Sequence, residues 1–306
     1  MINAKQRFLK TVHLLFFAFL AIQLLPDTIA RPGEPLYAVG FAMILEALLL
    51  ASSRTAKRRG SLNLAADIAS ALYVLLIAWT LATAKLNLLK EVLFPPPGVV
   101  FHQVLEDGPQ LAEHIAASLL LIVRGYFLAL VPAIALGLIF GYSARAGNAA
   151  TYIAKFLGAI PPVVYIPYGI ALLPAFRSVS VMVIFLASFW PILGATMSGV
   201  LYVEKRIVES AKVLNVSRLT MLTRILLPAS MPQIFTGCSQ GLTVSFILLT
   251  AAEMIGARSG LGYYIKNYSD LGNYTRTLVG ILVIGIVISL VFFLFNKLQK
   301  YLLRWR

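Results

Sequence analysis

An all-α, polytopic membrane protein is the fold class this sequence predicts, and three observations carry the prediction. Of its 306 residues, 59% are hydrophobic and only 12% are charged, about half the charge of an ordinary soluble domain. The mean hydropathy is +0.85. The apolar residues also gather in eight segments, near 12–30, 36–53, 64–84, 115–141, 149–173, 178–202, 233–256 and 277–296. Each is too long for a strand and none keeps a period-2 alternation, so each is predicted helical. A helix spans a bilayer in about 20 apolar residues, and eight spans would take up roughly 160.

The first segment follows Lys5, Arg7 and Lys10 and mimics a signal peptide. Pro26-Asp27 interrupts it without a small-x-small cleavage site, so it reads as a retained span. The second carries Glu46. Loop charges set the orientation. Basic clusters fall in every second connection: Lys5 to Lys10, Arg54/Lys57/Arg58/Arg59, Arg145, Lys205 to Arg224, and Lys297 to Arg306. The other connections are balanced or acidic: Asp27, Arg31 and Glu34 sum to −1, and 85–113 holds two lysines against four acids. Both termini are therefore expected in the cytoplasm. The net charge of +14 has this topological origin. No basic domain stands apart, and nucleic-acid binding is not indicated.

Three connections stand out. Residues 85–114 form a long outside stretch with Pro95-Pro96-Pro97-Gly98, which cannot continue a helix. Residues 257–276 form a glycine-rich outside loop. Residues 203–232 are cytoplasmic and amphipathic. Ile207, Ala211 and Leu214 are expected on one helical face, Asn215 breaks the helix, and Ser217 is a plausible N-cap for a second short helix. Pro228 is expected to end it. Two short helices joined by a tight turn suit a docking element for something cytoplasmic.

The chemistry-bearing motifs are mostly absent. No Walker A sequence occurs, and neither a metal site nor a disulfide can be assembled from His13, His102, His114 and the lone Cys238. Gly237-Cys238-Ser239-Gln240-Gly241 matches the Gly-x-Ser-x-Gly hydrolase pattern, but in an apolar helical run small residues signal close helix packing. Arg124 and Glu253 lie within predicted spans, where burying charge costs a few kcal/mol, and are either path-lining or structural. Ser239, Thr243, Phe246 and Thr250, with Gln240 beside them, form a polar stripe that could line a pathway or join helices. Pro161, Pro162 and Pro167, with Pro174 beyond them, predict a broken fifth span.

Residues 209–228 carry a resemblance. Permease subunits of ABC importers have a cytoplasmic motif of Glu-Ala-Ala, three residues, Gly, nine residues, then Ile-x-Leu-Pro. Here the chain reads Glu209-Ser210-Ala211, Asn215, and Ile225-Leu226-Leu227-Pro228 at the same spacing. Asn in place of the turn glycine still tolerates a left-handed conformation. Leu93 to Pro97, Ile160-Pro161-Pro162, Phe189 to Leu193, Ala252 to Ala257 and Ser259 to Gly262 resemble the nitrate/sulfonate/taurine branch. The resemblance spans roughly 64–306. The branch commonly has six spans, so 1–63 is expected to be an extra N-terminal helix pair with a basic linker, and 64–306 the permease core. The branch often has an Arg at the position of Leu121; Arg124 lies one turn later.

The resemblance implies a transport subunit and no enzyme, set in the bacterial inner membrane. Its implied partners are two ATP-binding subunits that hold ATP and Mg, a second permease copy, and an extracytoplasmic solute-binding protein. This chain itself would hold no cofactor. Coupling helices at 204–227 would seat in the ATPase through Glu209, Ser210, Ala211, Asn215, Ile225, Leu227 and Pro228. Arg124, Ser239, Gln240, Thr243 and Glu253 would line the path of a small anion. The rival readings are a secondary transporter built on Glu253 and an intramembrane serine hydrolase built on Ser239.

Overall fold

Runs of Leu, Ala, Ile and Val with few breakers make the chain helical almost throughout. The computed structural model describes residues 4–28, 34–55 and 59–304; Arg31, Lys57, Arg58 and Arg306, invoked above for orientation, lie outside them. In chain order the helices are α1 (Ala4–Gln23), α2 (Glu34–Thr55), α3 (Arg59–Thr80), α4 (Pro97–Glu106), α5 (Gly108–Tyr142), α6 (Ala144–Gly158), α7 (Ile166–Leu172), α8 (Phe176–Leu201), α9 (Lys205–Val213), α10 (Arg218–Thr220), α11 (Leu227–Gly256), α12 (Leu261–Asp270) and α13 (Tyr274–Leu302). No strand occurs among the described residues. Five helical stretches are long and apolar enough to cross a membrane: Asn63–Lys85, Gly108–Tyr142, Phe176–Leu201, Arg218–Gly256 and Tyr274–Leu302.

Each of the eight apolar segments is helical over most of its described residues, but they are not equivalent. The apolar parts of the first two are shorter, Thr11–Gln23 and Pro35–Ala51. The fifth is broken, as its prolines predict. Arg145–Gly158 and Pro162–Leu172 meet at 70°, because Pro161 and Pro162 lack the N–H groups that would carry the helix on. Two stretches read as loops contain helices. In 85–114 the proline run starts α4 instead of only ending what precedes it, with Pro97 at its first position, where a missing N–H costs nothing. In 257–276, α12 begins at Leu261.

The chain folds into two compact units. The first comprises Met1–Leu111 and Asn267–Ile281. In it Val12 and Phe19 of α1, Ala38, Ala42 and Leu49 of α2, and Ala66, Ala69, Tyr73 and Leu76 of α3 share one core. The alanines let the backbones approach closely. Phe41 stacks on Phe101 of α4 at 4.3 Å. Several buried polar groups are paired within the unit. Glu46 contacts His13 Nδ1 and accepts the Tyr73 hydroxyl at 2.8 Å. Lys85 pairs with Asp27 at 2.6 Å. Asp107 receives a two-pronged contact from Arg276 at 2.8 and 3.1 Å. The division expected after residue 63 therefore falls inside this unit, because α3 buries its apolar face against α1 and α2.

The second unit comprises Ala112–Lys266 and Leu282–Arg306. Its centre is the pair α8 and α11, packed through small residues. The Ser188 and Ser245 hydroxyls meet at 2.7 Å. Around this seam Leu121, Tyr126, Ile184, Ile192, Leu242 and Phe246 form the main core.

Candidate functional site

The motif at 209–228 folds into a braced hairpin. α9 ends at Val213, and Asn215 takes φ +54°, a left-handed turn that Asn adopts at little cost. Ser217 then caps the next helix, its hydroxyl accepting from Thr220 N–H at 3.3 Å. From Arg218 the helix does not stop at Pro228. It passes through a widened π turn at Met221–Leu226 into α11, giving one stretch of 39 residues to Gly256. The proline ring would clash with the carbonyl four residues back, Arg224, and the wide turn sits at that place. The expectation that Pro228 ends the helix is corrected on that ground.

Burial sorts the motif residues. Ala211 is buried with Met221 and Leu226, against Leu138 of α5 and Val200 of α8, so the hairpin is anchored to the ends of two long helices. Ser210 and Glu209 are exposed, so Ser for Ala at 210 meets no packing constraint. Ile225, Leu227 and Pro228 are half-buried beside the anchor. Ile207 and Leu214 do not share the face of Ala211: they are 44% and 76% exposed, with Val213 at 84% and Leu219 at 72%. The inward partner of Ala211 is Val208. Arg206, Glu209, Ser210, Val213 and Leu214 border a shallow depression on the outer face. This hairpin presents an apolar face that nothing among the described residues covers.

The second surface runs along α11. Gln233, Thr236, Gln240 and Thr243 are exposed at spacings of 3, 4 and 3, a polar stripe on one helical face near mid-span. Ser239 is only half-exposed, and Phe246 is buried at 4%, so Phe246 leaves the stripe expected from sequence. Gln233 and Thr236 join it; continuing the 3–4 spacing one turn toward Pro228 would have found them. Arg124 lies at the centre of α5, exposed beside Leu120, Val123 and Phe127. A guanidinium and two carboxamides exposed at membrane depth do not suit lipid contact.

Glu253, read from the sequence as either path-lining or structural, lies in a buried hydrogen-bond cluster. It is 1% exposed. Its Oε1 accepts from the Ser118 hydroxyl at 2.7 Å, and its Oε2 accepts from Gly262 N–H at 2.8 Å. Ser118 Oγ also accepts Leu261 N–H at 2.9 Å, and His114 Nδ1 accepts Gly260 N–H at 3.1 Å. The carboxylate thus takes the Gly262 N–H and the Ser118 hydroxyl the Leu261 N–H, both in the first turn of α12, where the helix dipole favours negative charge. A Cβ on Gly260, which has φ +116°, would run into the Glu253 carboxylate. One carboxylate, one hydroxyl, one imidazole and two glycines lock the loop after α11 onto α5 and α11. Sequence reasoning missed Ser118 and His114, because polar residues a turn apart in an apolar helix look the same whether they bind a loop or a solute.

The Gly-x-Ser-x-Gly pentapeptide lies inside continuous α11, with no strand-to-helix turn to expose a nucleophile. Its glycines make the seam with α8: a Cβ on Gly237 would contact Ala195 and stand 2.9 Å from the Pro191 carbonyl, and one on Gly241 would stand 3.1 Å from Ser188 Cα. Gly237→Val is therefore expected to lower stability by about 2–4 kcal/mol through overpacking, while Ser239→Ala stays within about 0.5 kcal/mol. Thermal unfolding of the two purified variants checks this; equal losses would contradict the packing role.

A family model described as binding-protein-dependent transport system inner membrane component matches residues 133–306. The taurine transport system permease protein of Escherichia coli (strain K12) is 31% identical over 239 residues, 76% of this chain and 86% of that one. A nitrate import permease protein of Leptolyngbya laminosa is 33% identical over 173 residues, 56% of this chain and 62% of its own length. A probable ABC transporter permease protein of Brucella melitensis biotype 1 is 35% identical over 214 residues, covering 68% and 85%. With its hairpin, its α8–α11 seam and its several apolar helices, this chain belongs to the binding-protein-dependent transport system inner membrane components, as a multi-pass ABC importer permease of the nitrate/sulfonate/taurine type.

Proposed function

We propose that this permease forms, with a second copy, the translocation path of an ATP-driven importer for a small anion, delivered by an extracytoplasmic solute-binding protein. Two separate ATPase subunits hold ATP and Mg and seat the α9 hairpin in the cytoplasm, where both termini also lie. The observation that carries the reading is the uncovered apolar face of Ile207, Val213 and Leu214, next to Glu209, on a hairpin anchored through Ala211 to α5 and α8. Movement of the ATPase would pass through that anchor to the long helices, and only contacts that differ between the two states do work. A second permease accounts for the exposed Arg124, Gln240 and Thr243, which would face a shared aqueous path instead of lipid. The names of the taurine and nitrate relatives support an oxyanion substrate, which a fixed guanidinium and neutral amide and hydroxyl donors suit.

Glu209→Arg tests the seating. The side chain is exposed, so the variant is expected to insert and fold normally but to lose ATPase co-purification and ATP-driven uptake, each by about tenfold or more. Wild-type levels of both would sink the assignment. The substrate class is tested by reconstituting the complex with its binding protein. Taurine, nitrate or a sulfonate should stimulate ATP hydrolysis and a neutral heterocycle should not; the reverse pattern rejects the anion and leaves the seating intact.

A further inference from the structure

The two faces of the α9 hairpin differ in chemistry. Opposite the exposed apolar face, Lys205, Val208 and Lys212, spaced along one side of α9, line a cleft of about 910 Å³. Its floor is apolar, made by Ile139 of α5, Val200 of α8, and Leu222 and Leu226 of the wide turn. Arg218 completes a basic rim, and Tyr142 and Ser143 add hydroxyl groups. Glu209 is the one carboxylate at the border, so three cations less one anion leave +2. None of Lys205, Lys212 and Arg218 is ion-paired among the described residues.

Size and lining together select the ligand. A water or small ion needs about 30 Å³, whereas pockets for organic ligands run to about 300–1,000 Å³. A free oxyanion would satisfy the rim but leave the apolar floor uncovered. A basic rim over an apolar floor, at the level where long helices leave the bilayer, matches a phosphodiester headgroup with the first part of its acyl chains. We propose that this cleft binds an anionic phospholipid of the cytoplasmic leaflet, with its phosphate among Lys205, Lys212 and Arg218 and its chains on the floor of Ile139, Leu222 and Leu226. The proposal rests on the orientation given above, which sets the hairpin at the cytoplasmic surface; it does not depend on the substrate. Lipid then braces one face of the hairpin while the ATPase takes the other.

The full permease–ATPase complex would be reconstituted in nanodiscs of phosphatidylcholine with phosphatidylglycerol, re-extracted in mild detergent, and its retained lipids counted by native mass spectrometry. Lys205→Gln/Lys212→Gln/Arg218→Gln is expected to retain about tenfold less phosphatidylglycerol, with phosphatidylcholine unchanged. Lys205→Arg/Lys212→Arg, which keeps the charge, should retain it, as should Lys297→Gln/Lys300→Gln, which removes cations outside the cleft. Undiminished retention in the triple variant overturns the proposal. Displacement of the lipid by inorganic phosphate or sulfate at physiological salt overturns it in favour of a free oxyanion. Wild-type complex that keeps no phosphatidylglycerol above the level of the triple variant, while its ATPase stays bound, overturns it in favour of a protein interface. Co-purifying ATPase in the same samples reports separately on the seating: lipid lost with ATPase kept supports the proposal, and lipid kept with ATPase lost overturns it and assigns these cations to the ATPase contact.

Discussion

Gly260→Ala is expected to abolish most of the folded permease, although the change adds one methyl group to a loop. At φ +116° an L side chain is strained, by about 1–3 kcal/mol. The new Cβ also points into the Glu253 carboxylate, which cannot retreat without giving up Ser118 or Gly262. Overpacking of that kind adds about 1–3 kcal/mol, so a total of about 2–6 kcal/mol is expected. The midpoint of thermal unfolding should fall by about 5–10 °C. Glu253→Ala should do comparable damage by a different route, leaving the Ser118 hydroxyl and Gly262 N–H without their acceptor at about 1–3 kcal/mol each. Glu253→Gln separates structure from transport chemistry. Its oxygen can still accept from Gly262 while its amide donates to Ser118, so only the Ser118 hydrogen loses its acceptor; the stability loss should be about half that of Glu253→Ala or less, and uptake should stay near wild type. If Gln preserved stability but ended uptake, Glu253 would be a charge or proton site, as a secondary transporter would require.

Local chemistry made much of this architecture legible. Asn215 takes a positive φ, Ser217 caps a helix, and the Pro161-Pro162 pair breaks a span, because each property belongs to a residue and its immediate backbone. What stayed hidden depends on which side of a helix meets protein. In a chain where lipid and core are equally apolar, hydropathy gives the helix and not its facing. Hence Ile207 and Leu214 read as the inner face of α9, although Val208 and Ala211 are the anchored residues. Phe246 read as part of an open stripe for the same reason. The loop between α11 and α12 hid its lock differently: Glu253 and Gly260 lie close in sequence, but His114 and Ser118 come from far earlier in the chain, and no local pattern joins them. Pro97 carried a usable signal, since a proline that cannot continue one helix is well suited to begin another.

Deleting residues 1–63 is the other change expected to have a large effect, and the packing of the first unit says what kind. α3 keeps Tyr73 at 0% and Leu76 at 6% exposure only by lying against α1 and α2. Removing them would uncover that face, along with Phe101, which stacks on Phe41. The Tyr73 hydroxyl would lose Glu46 and the Ala42 carbonyl together. Lys85, whose side chain is 4% exposed, would lose Asp27 and the carbonyls of Gln23 and Leu25. Stripping a buried ammonium of its partner alone costs about 3–5 kcal/mol. The truncated chain is therefore expected to accumulate at about a tenth of the wild-type level or less, while complexes that do assemble turn over within about twofold of normal. Membrane yield and uptake per assembled complex measure the two separately. Asp27→Leu/Lys85→Met, which removes both charges together, should accumulate far better than Asp27→Leu alone. If truncated complexes assembled at normal yield and failed to transport, the N-terminal helices would instead be part of the gating machinery, and the burial argument for their role would fall.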